Sequence, residues 1–405
     1  MTYDFDRKIE RKQNNSAKWD EIKRKKPDED LLPMWMADMD FETAPEILEA
    51  IQEKLDHRIF GYTSRPSSYY ESAAEWTKKI HDYEIKSDEL EHCIGVIPAI
   101  SILIRLLTKP DDQIIIQAPV YPPFFSVVEK NKRVLLVNNL LENEGQYTID
   151  FEDFEEKAKD EKTKFFILCN PHNPVGRAWT KEELLKLGNI CLKYNVRIIS
   201  DDIWRDIIYK GYKYTAISSL TKEIEDITIT CFSSTKTFNL AGLQASFVHF
   251  PRKEEQKLFN DELGILDIKR NTPFSLAAVE ASFTKGEKWY RELMEYLSGN
   301  IDFVEKYLKE NIPEISFKRP EATYLIWLDF RKTNLSEAEI HRLVREEAKL
   351  VLNAGSSFSE KSGKFQRINI AYPRDILEEA LNRLSNAIKN INKGEMKKIW
   401  NISLG

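Results

Sequence analysis

The chain has 405 residues, 42% hydrophobic and 31% charged, a length for roughly two to three domains and a composition unlike that of disordered or collagen-like chains. Lys and Arg (60) nearly balance Asp and Glu (66), leaving a net charge of -6 with the signs interspersed. There is no basic face to grip a phosphate backbone, so no nucleic-acid partner is expected. The most apolar stretch, residues 94–104, is too short to cross a bilayer, and the amino terminus, MTYDFDRKIERK, has no apolar run behind its charges, so no membrane partner is expected either. Cys93, Cys169, Cys191 and Cys231 are widely spaced with no C-x-x-C pair. They read as small hydrophobes in a reducing compartment, which predicts a cytoplasmic protein.

In chain order, residues 1–45 read as an extended, irregular arm in which IKRKKPDED is expected to be a solvated loop. Thr43 and Glu46 are spaced as a capping box ahead of Ile47, Leu48, Ile51 and Leu55, which share one helical face. Apolar runs then alternate with amphipathic segments: QIIIQ at 113, RVLLVN at 133, KFFILC at 164, VRIIS at 196 and ITITCF at 227. Between two of them, Thr180 and Glu183 cap a helix carrying Leu184, Leu185, Leu187, Ile190 and Leu192. Runs that are apolar throughout are buried on both faces, which predicts a mostly parallel sheet between helices, an α/β domain over 46–285. Beyond Pro273 the pattern predicts a long helix over 286–311 with Leu293, Tyr296, Leu297, Ile301, Val304 and Leu308 on one face. A strand (TYLIWLDF), a helix near 336–348, short strands near 350 and 367 and a closing helix from about 376 complete a smaller α+β domain over 286–392. The arm, 1–45, joins it, and 393–405 read as a tail.

Ligands of such sheets bind beyond the carboxyl ends of the strands. After QIIIQ the chain offers Tyr121, after KFFILC Asn170 and Asn173, after VRIIS Asp201 and Trp204, and after ITITCF Ser233 and Lys236. Taken singly these are ordinary residues: a surface lysine, a helix-capping aspartate, prolines around a packed tyrosine, a turn at NPHNP. As an ordered set they meet the needs of pyridoxal phosphate, which takes a lysine Schiff base, an acid on its ring nitrogen and a fixed phosphate. Asp201 is the candidate acid, Tyr121 the ring-stacking residue and Ser233 a phosphate donor. Gly95, Val96 and Ile97, before PAISILIRLLT, offer backbone N–H groups at a helix start. No metal site is indicated.

NPHNPVG, SDDIW and SSTKTFNLAGLQ together resemble the pyridoxal-phosphate enzymes of aminotransferase class I/II, the aspartate aminotransferase fold (fold type I). MWMADMDF, FGYT at 60 and FNLAGLQ resemble, within it, the MalY/PatB branch of cystathionine β-lyases (C–S lyases), and the likeness runs from about residue 3 to about 391. It implies a sheet of the seven-stranded type and a homodimer. It also implies Lys236 as the Schiff-base lysine, Asp201 at the ring nitrogen, Asn173 at the ring hydroxyl, Tyr121 on the ring face, and Ser233 with the backbone of Val96 and Ile97 on the phosphate. Tyr62 would reach the phosphate from a neighbouring subunit, Arg367 in FQRINIAYPR would grip the substrate α-carboxylate, and Ala37 and Asp38 would lie in the segment that closes over substrate, with no chemistry assigned to them. Two departures stand out. Trp204 replaces a tyrosine or histidine, and indole can donate a hydrogen bond but neither accept one nor ionise. Gln244 stands where many aminotransferases hold a phosphate-binding arginine, a change that matches the lyase pattern.

The implied reaction is α,β-elimination from an S-substituted cysteine such as cystathionine, giving a thiol, pyruvate and ammonia. The alternatives are an amino-acid aminotransferase using the same lysine and cofactor, and a pyridoxal-phosphate-binding regulatory or interaction protein with little turnover, for which Trp204 is the one motive.

Overall fold

The structure, a computed structural model, describes residues 1–25 and 30–392. The expected tail and residues 26–29 of the charged stretch lie outside the described residues; the start of that stretch, expected as loop, instead continues a short helix, Asp20–Lys25. The chain divides into two compact units. One comprises Thr43–Met294 and Pro320–Thr323, the other Met1–Glu42, Glu295–Arg319 and the chain from Tyr324 onward.

The first unit is built on a seven-stranded sheet. Its strands are β1 (Leu90–Cys93), β2 (Gln113–Ala118), β3 (Val134–Asn139), β4 (Thr163–Cys169), β5 (Arg197–Asp201), β6 (Thr228–Phe232) and β7 (Ser246–His249). The order is β1-β7-β6-β5-β4-β2-β3. All pairs are parallel except those of β7, which runs antiparallel to both β1 and β6. All five apolar runs are therefore strands of one parallel block. Ile114, Ile115, Ile116, Phe165, Phe166, Ile198, Ile199 and Ile229 are fully buried in it, each such side chain contributing roughly 1.5–3 kcal/mol.

β1 and β7 lack the apolar signature because LEHC and SFVH bury imidazoles. His92 Nδ1 lies 3.1 Å from the Tyr69 hydroxyl, and His249 Nε2 lies 3.3 Å from a Glu89 carboxylate oxygen.

The capping box at Thr180 forms as expected, at the start of the helix Lys181–Lys193. The one at Thr43 does not. The helix Pro45–Asp56 starts at a proline after Ala44 without a side-chain cap, and the Thr43 hydroxyl donates instead to the Phe238 carbonyl at 3.3 Å. Of its expected apolar face only Ile47 is buried, whereas Leu48 and Leu55 are exposed. The helix Pro273–Lys285 escaped the periodicity because its small residues, Ala277, Ala278, Ala281 and Ser282 among them, are buried around the helix and leave no single stripe.

In the second unit, TYLIWLDF yields β8 (Leu325–Asp329), which with β9 (Asn353–Ala354) and β10 (Phe365–Asn369) makes an antiparallel sheet ordered β8-β10-β9. A capping box at Ser336 and Glu339 starts the helix Glu337–Arg342, which widens into a π-type turn, Leu343–Glu347. Arg374–Asn392 is the closing helix. The long helix Glu287–Asn311 carries the chain from one unit to the other. Among the described residues no helix is long and apolar enough to cross a membrane.

Candidate active site

The parallel strands β2, β4, β5 and β6 end on one edge of the sheet, where Cys169, Asp201 and Cys231 stand side by side in register. The backbone continues that alignment, with Asn170 N–H donating to Asp201 O at 3.0 Å and Asp202 N–H to Cys231 O at 2.8 Å. Asp201 is 4% exposed, and among the described residues its carboxylate accepts one hydrogen bond, from Ile203 N–H at 3.1 Å. Burial pushes its pKa up to about 7, against the pull of that N–H and of the Lys236 charge. Its neighbour Asp202 accepts from Ser200 and Tyr214 hydroxyls, and burial raises it to about 6.

Lys236 lies in the turn after β6, where Phe238 N–H donates to Ser234 O at 2.9 Å and Leu240 N–H to Thr235 O at 3.0 Å. It is no surface lysine: Thr235 and Thr237 on either side are buried, and its Nζ stands 5.6 Å from the centroid of the buried Trp204 ring, within the range of a cation–π contact.

The turn is pinned from below by residues the sequence reading missed. Thr237 Oγ1 donates to Asp206 Oδ2 at 2.6 Å, and the other oxygen of Asp206 meets His81 Nε2 at 2.7 Å and accepts from Trp76 Nε1 at 3.2 Å. The surrounding donors hold the Asp206 carboxyl below the usual range despite its burial. The signal was the third acid in DDIWRD, legible only as a charge too many in a buried segment.

Ser233 Oγ lies 2.6 Å from Ala245 O, 2.9 Å from Thr235 Oγ1, and accepts Thr235 N–H at 3.0 Å. Ser234 Oγ is buried without a partner among the described residues. The helix Val96–Leu107 begins after Gly95, and the first N–H groups of a helix have no acceptor within it. Gln244, in the left-handed conformation (φ 52°), leads into β7.

Asn173 is buried in the NPHNPVG turn. That turn is clamped by Arg177, which donates to Glu321 Oε2 at 3.0 Å and to Glu183 Oε2 at 2.8 Å, and by His172 N–H donating to Arg177 O at 2.7 Å. A side chain at Gly176 (φ +71°) would meet Pro320 Cβ at 2.7 Å, so only glycine fits there. The peptides before Pro119, Pro171 and Pro174 are cis. Tyr121 stands partly buried beyond β2, edge-on to Phe124 at 6.1 Å.

The remaining candidates lie elsewhere. Tyr62 is 96% exposed. Arg367 and Ala37 belong to the other unit. There Arg367 Nη2 donates to Trp35 O at 2.9 Å and to Asn353 Oδ1 at 2.7 Å, and Ala37 O accepts the Tyr324 hydroxyl at 3.1 Å. Asp38 and Asp40 are bound by the buried Lys18, whose Nζ is 2.9 Å from a carboxylate oxygen of each.

The strand-end cluster suits pyridoxal phosphate. A buried carboxylate with a single donor awaits a protonated ring nitrogen, and an unpaired hydroxyl together with helix-start N–H groups suits a phosphate.

Comparison with known proteins agrees. The model for aminotransferase class I and II matches residues 30–384. Cystathionine beta-lyase PatB of Bacillus subtilis (strain 168) is 39% identical over 384 residues, 95% of this chain and 99% of that one. A PLP-bound structure from Clostridium difficile 630 is 51% identical with a TM-score of 0.93, covering 95% of this chain and 100% of that one. Cystalysin from Treponema denticola, which contains a pyridoxal 5'-phosphate cofactor, is 34% identical with a TM-score of 0.93, covering 96% and 100%. The chain belongs to the aminotransferase class I and II family, fold type I, in the branch that holds cystathionine beta-lyase PatB and protein MalY.

Proposed function

We propose that the protein is a pyridoxal-phosphate-dependent carbon–sulfur β-lyase that cleaves S-substituted cysteines such as cystathionine to a thiol, pyruvate and ammonia. The observation that carries this reading is the Lys236 amine at the end of β6, 5.6 Å from a buried indole, on the same strand-end edge as the under-bonded Asp201. When bound, pyridoxal phosphate supplies an electron-withdrawing ring that takes up the charge left at the substrate Cα.

The chain's own residues do the rest. Asp201, ionised, would hold the protonated ring nitrogen. The Lys236 amine would remove the substrate Cα proton as general base. Trp204 next to it excludes water from one side of the amine. Asn173 would donate to the ring hydroxyl, and Tyr121 would lie against the ring. The Ser233 hydroxyl, with the Val96 and Ile97 N–H groups, would hold the phosphate. Arg367 takes the substrate carboxylate. A guanidinium matches that group two bonds at a time, and Trp35 and Asn353 fix its plane. Ala37, in the amino-terminal arm, belongs to the segment that covers substrate.

The protein works as a homodimer, because Tyr62, exposed on its own chain, serves a phosphate only in a neighbour. It works in the cytoplasm, since all four cysteines are buried and unpaired. The holoenzyme given L-cystathionine without any keto acid is expected to release homocysteine, pyruvate and ammonia in equal amounts, and the Lys236→Ala variant none. Absence of pyruvate, with amino transfer appearing only when a keto acid is added, would make it an aminotransferase.

A further inference from the structure

The phosphate end of the strand-end cluster is short of positive charge. Ser233, Thr235 and the start of the helix Val96–Leu107 are neutral donors, Gln244 is neutral, and Lys236 is committed to the covalent bond. A phosphate monoester carries well over one negative charge at neutral pH. A charge placed among residues as buried as Ser233, Ser234 and Thr235 is costly unless a cation meets it.

A cation stands on one exposed edge of the same unit. There residues 59–65 and 265–274 are joined to each other. Arg270 Nη1 donates to Thr63 O at 2.9 Å, and its Cζ lies 5.5 Å from the Tyr62 ring centroid. The Phe60 and Phe274 rings lie 5.5 Å apart, and Arg65 Nη1 donates to Asn271 Oδ1 at 3.0 Å. Around the Tyr62–Arg270 pair, Ile59 is 70% and Ile265 77% exposed. This edge presents a phenol and a guanidinium, both anion donors, on an apolar rim that a second protein surface would cover.

We propose that Arg270 of one subunit, carried in with Tyr62, supplies the missing cation to the cofactor phosphate of its neighbour, so that a second copy of this chain completes each phosphate site. The inference rests on the dimer reading given above. The shortfall at Gln244 and the surplus at Arg270 match in charge, and a two-fold dimer makes the exchange reciprocal.

The test uses the full-length protein titrated with pyridoxal phosphate and followed by visible absorbance and by borohydride trapping on Lys236. The Arg270→Gln variant should remain dimeric and bind the cofactor about 10- to 100-fold more weakly, the worth of one charge-assisted hydrogen bond. Its affinity for pyridoxal, which lacks the phosphate, should be unchanged. In hybrid dimers of Arg270→Gln with Lys236→Ala, the subunit that keeps Lys236 faces an intact Arg270 and should trap cofactor with wild-type affinity. Unchanged cofactor affinity in Arg270→Gln, equal weakening toward pyridoxal, or hybrids as weak as the parent variant would each overturn the proposal and leave the lyase reading standing. A monomeric wild-type protein would overturn this proposal and the dimer together.

Discussion

Asp201 shows at the scale of one residue how burial changes an unremarkable carboxylate. Burial pushes its pKa up to about 7, so between about pH 4 and 7 the cofactor-free folded protein holds a proton that the unfolded chain has released. The Asp201 share of stability then falls as pH rises through that window, and Asp202, raised to about 6, adds in the same direction, whereas His81, His92 and His172, lowered by burial, act oppositely because the unfolded chain protonates them first. In cofactor-free protein unfolded by denaturant, the Asp201 contribution should therefore be smaller at pH 8 than at pH 5 by roughly 2–4 kcal/mol, read as the difference in pH dependence between wild type and Asp201→Asn. Asp201→Asn should remove that share, and pyridoxal phosphate, whose ring proton pairs with the ionised carboxylate, should offset it in the wild type. Equal pH slopes for wild type and variant would mean that Asp201 is already ionised at pH 5. The sequence exposed Asp201 and Lys236 because each follows a run that can only be a buried strand. Asp206, Trp76 and His81 stayed hidden because they meet only once the chain has folded, and nothing local marks a histidine and an aspartate 125 positions apart as partners.

Helix starts show, at the scale of elements, why one motif read twice had two outcomes. Thr180 and Glu183 sit ahead of residues free to adopt helical geometry, and both reciprocal bonds form. Thr43 and Glu46 have the same spacing, but Pro45 at the first helical position provides its own fixed φ and moves the start past the threonine. Its hydroxyl is then free to anchor Phe238 O, two residues beyond Lys236. Thr180→Ala should cost about 1 kcal/mol of stability through the lost cap. Thr43→Ala should cost less in the same denaturant titration, and a loss as large as that of Thr180→Ala would show that Thr43 caps after all. The same logic explains the strands. The five apolar runs were legible as a parallel block, whereas β1 and β7 hide behind buried histidines whose hydrogen-bond partners lie far off in sequence. The seven-stranded architecture was therefore supplied by the family resemblance, since periodicity alone identified five strands.

For the whole molecule, the residues that periodicity explains least are the ones that point outward. Phe60 and Tyr62 in FGYT have no partner pattern along the chain, and Ile59, Phe60, Tyr62, Ile265 and Leu266 are all exposed on the described structure. Exposed apolar side chains that their own unit does not bury are what an isologous interface looks like from one side. Its cost to an isolated subunit is the argument for the dimer, independent of any role for Tyr62. If Phe60 is buried by the second copy, Phe60→Glu exchanges a favourable burial of about 2 kcal/mol for a carboxylate that must be desolvated. Two-fold symmetry imposes the change twice. The dimer should then dissociate at least about 1000-fold more readily, a loss of some 4 kcal/mol, and light scattering at micromolar concentration should report the subunit mass where the wild type reports twice that mass. If Tyr62 and Arg270 serve the neighbour's site as proposed, the dissociated variant should also need far more pyridoxal phosphate to saturate Lys236, while its subunit fold, read by far-ultraviolet circular dichroism, stays unchanged. A Phe60→Glu protein that remains dimeric at micromolar concentration would show that this edge faces water, and the second chain would have to be sought on another surface.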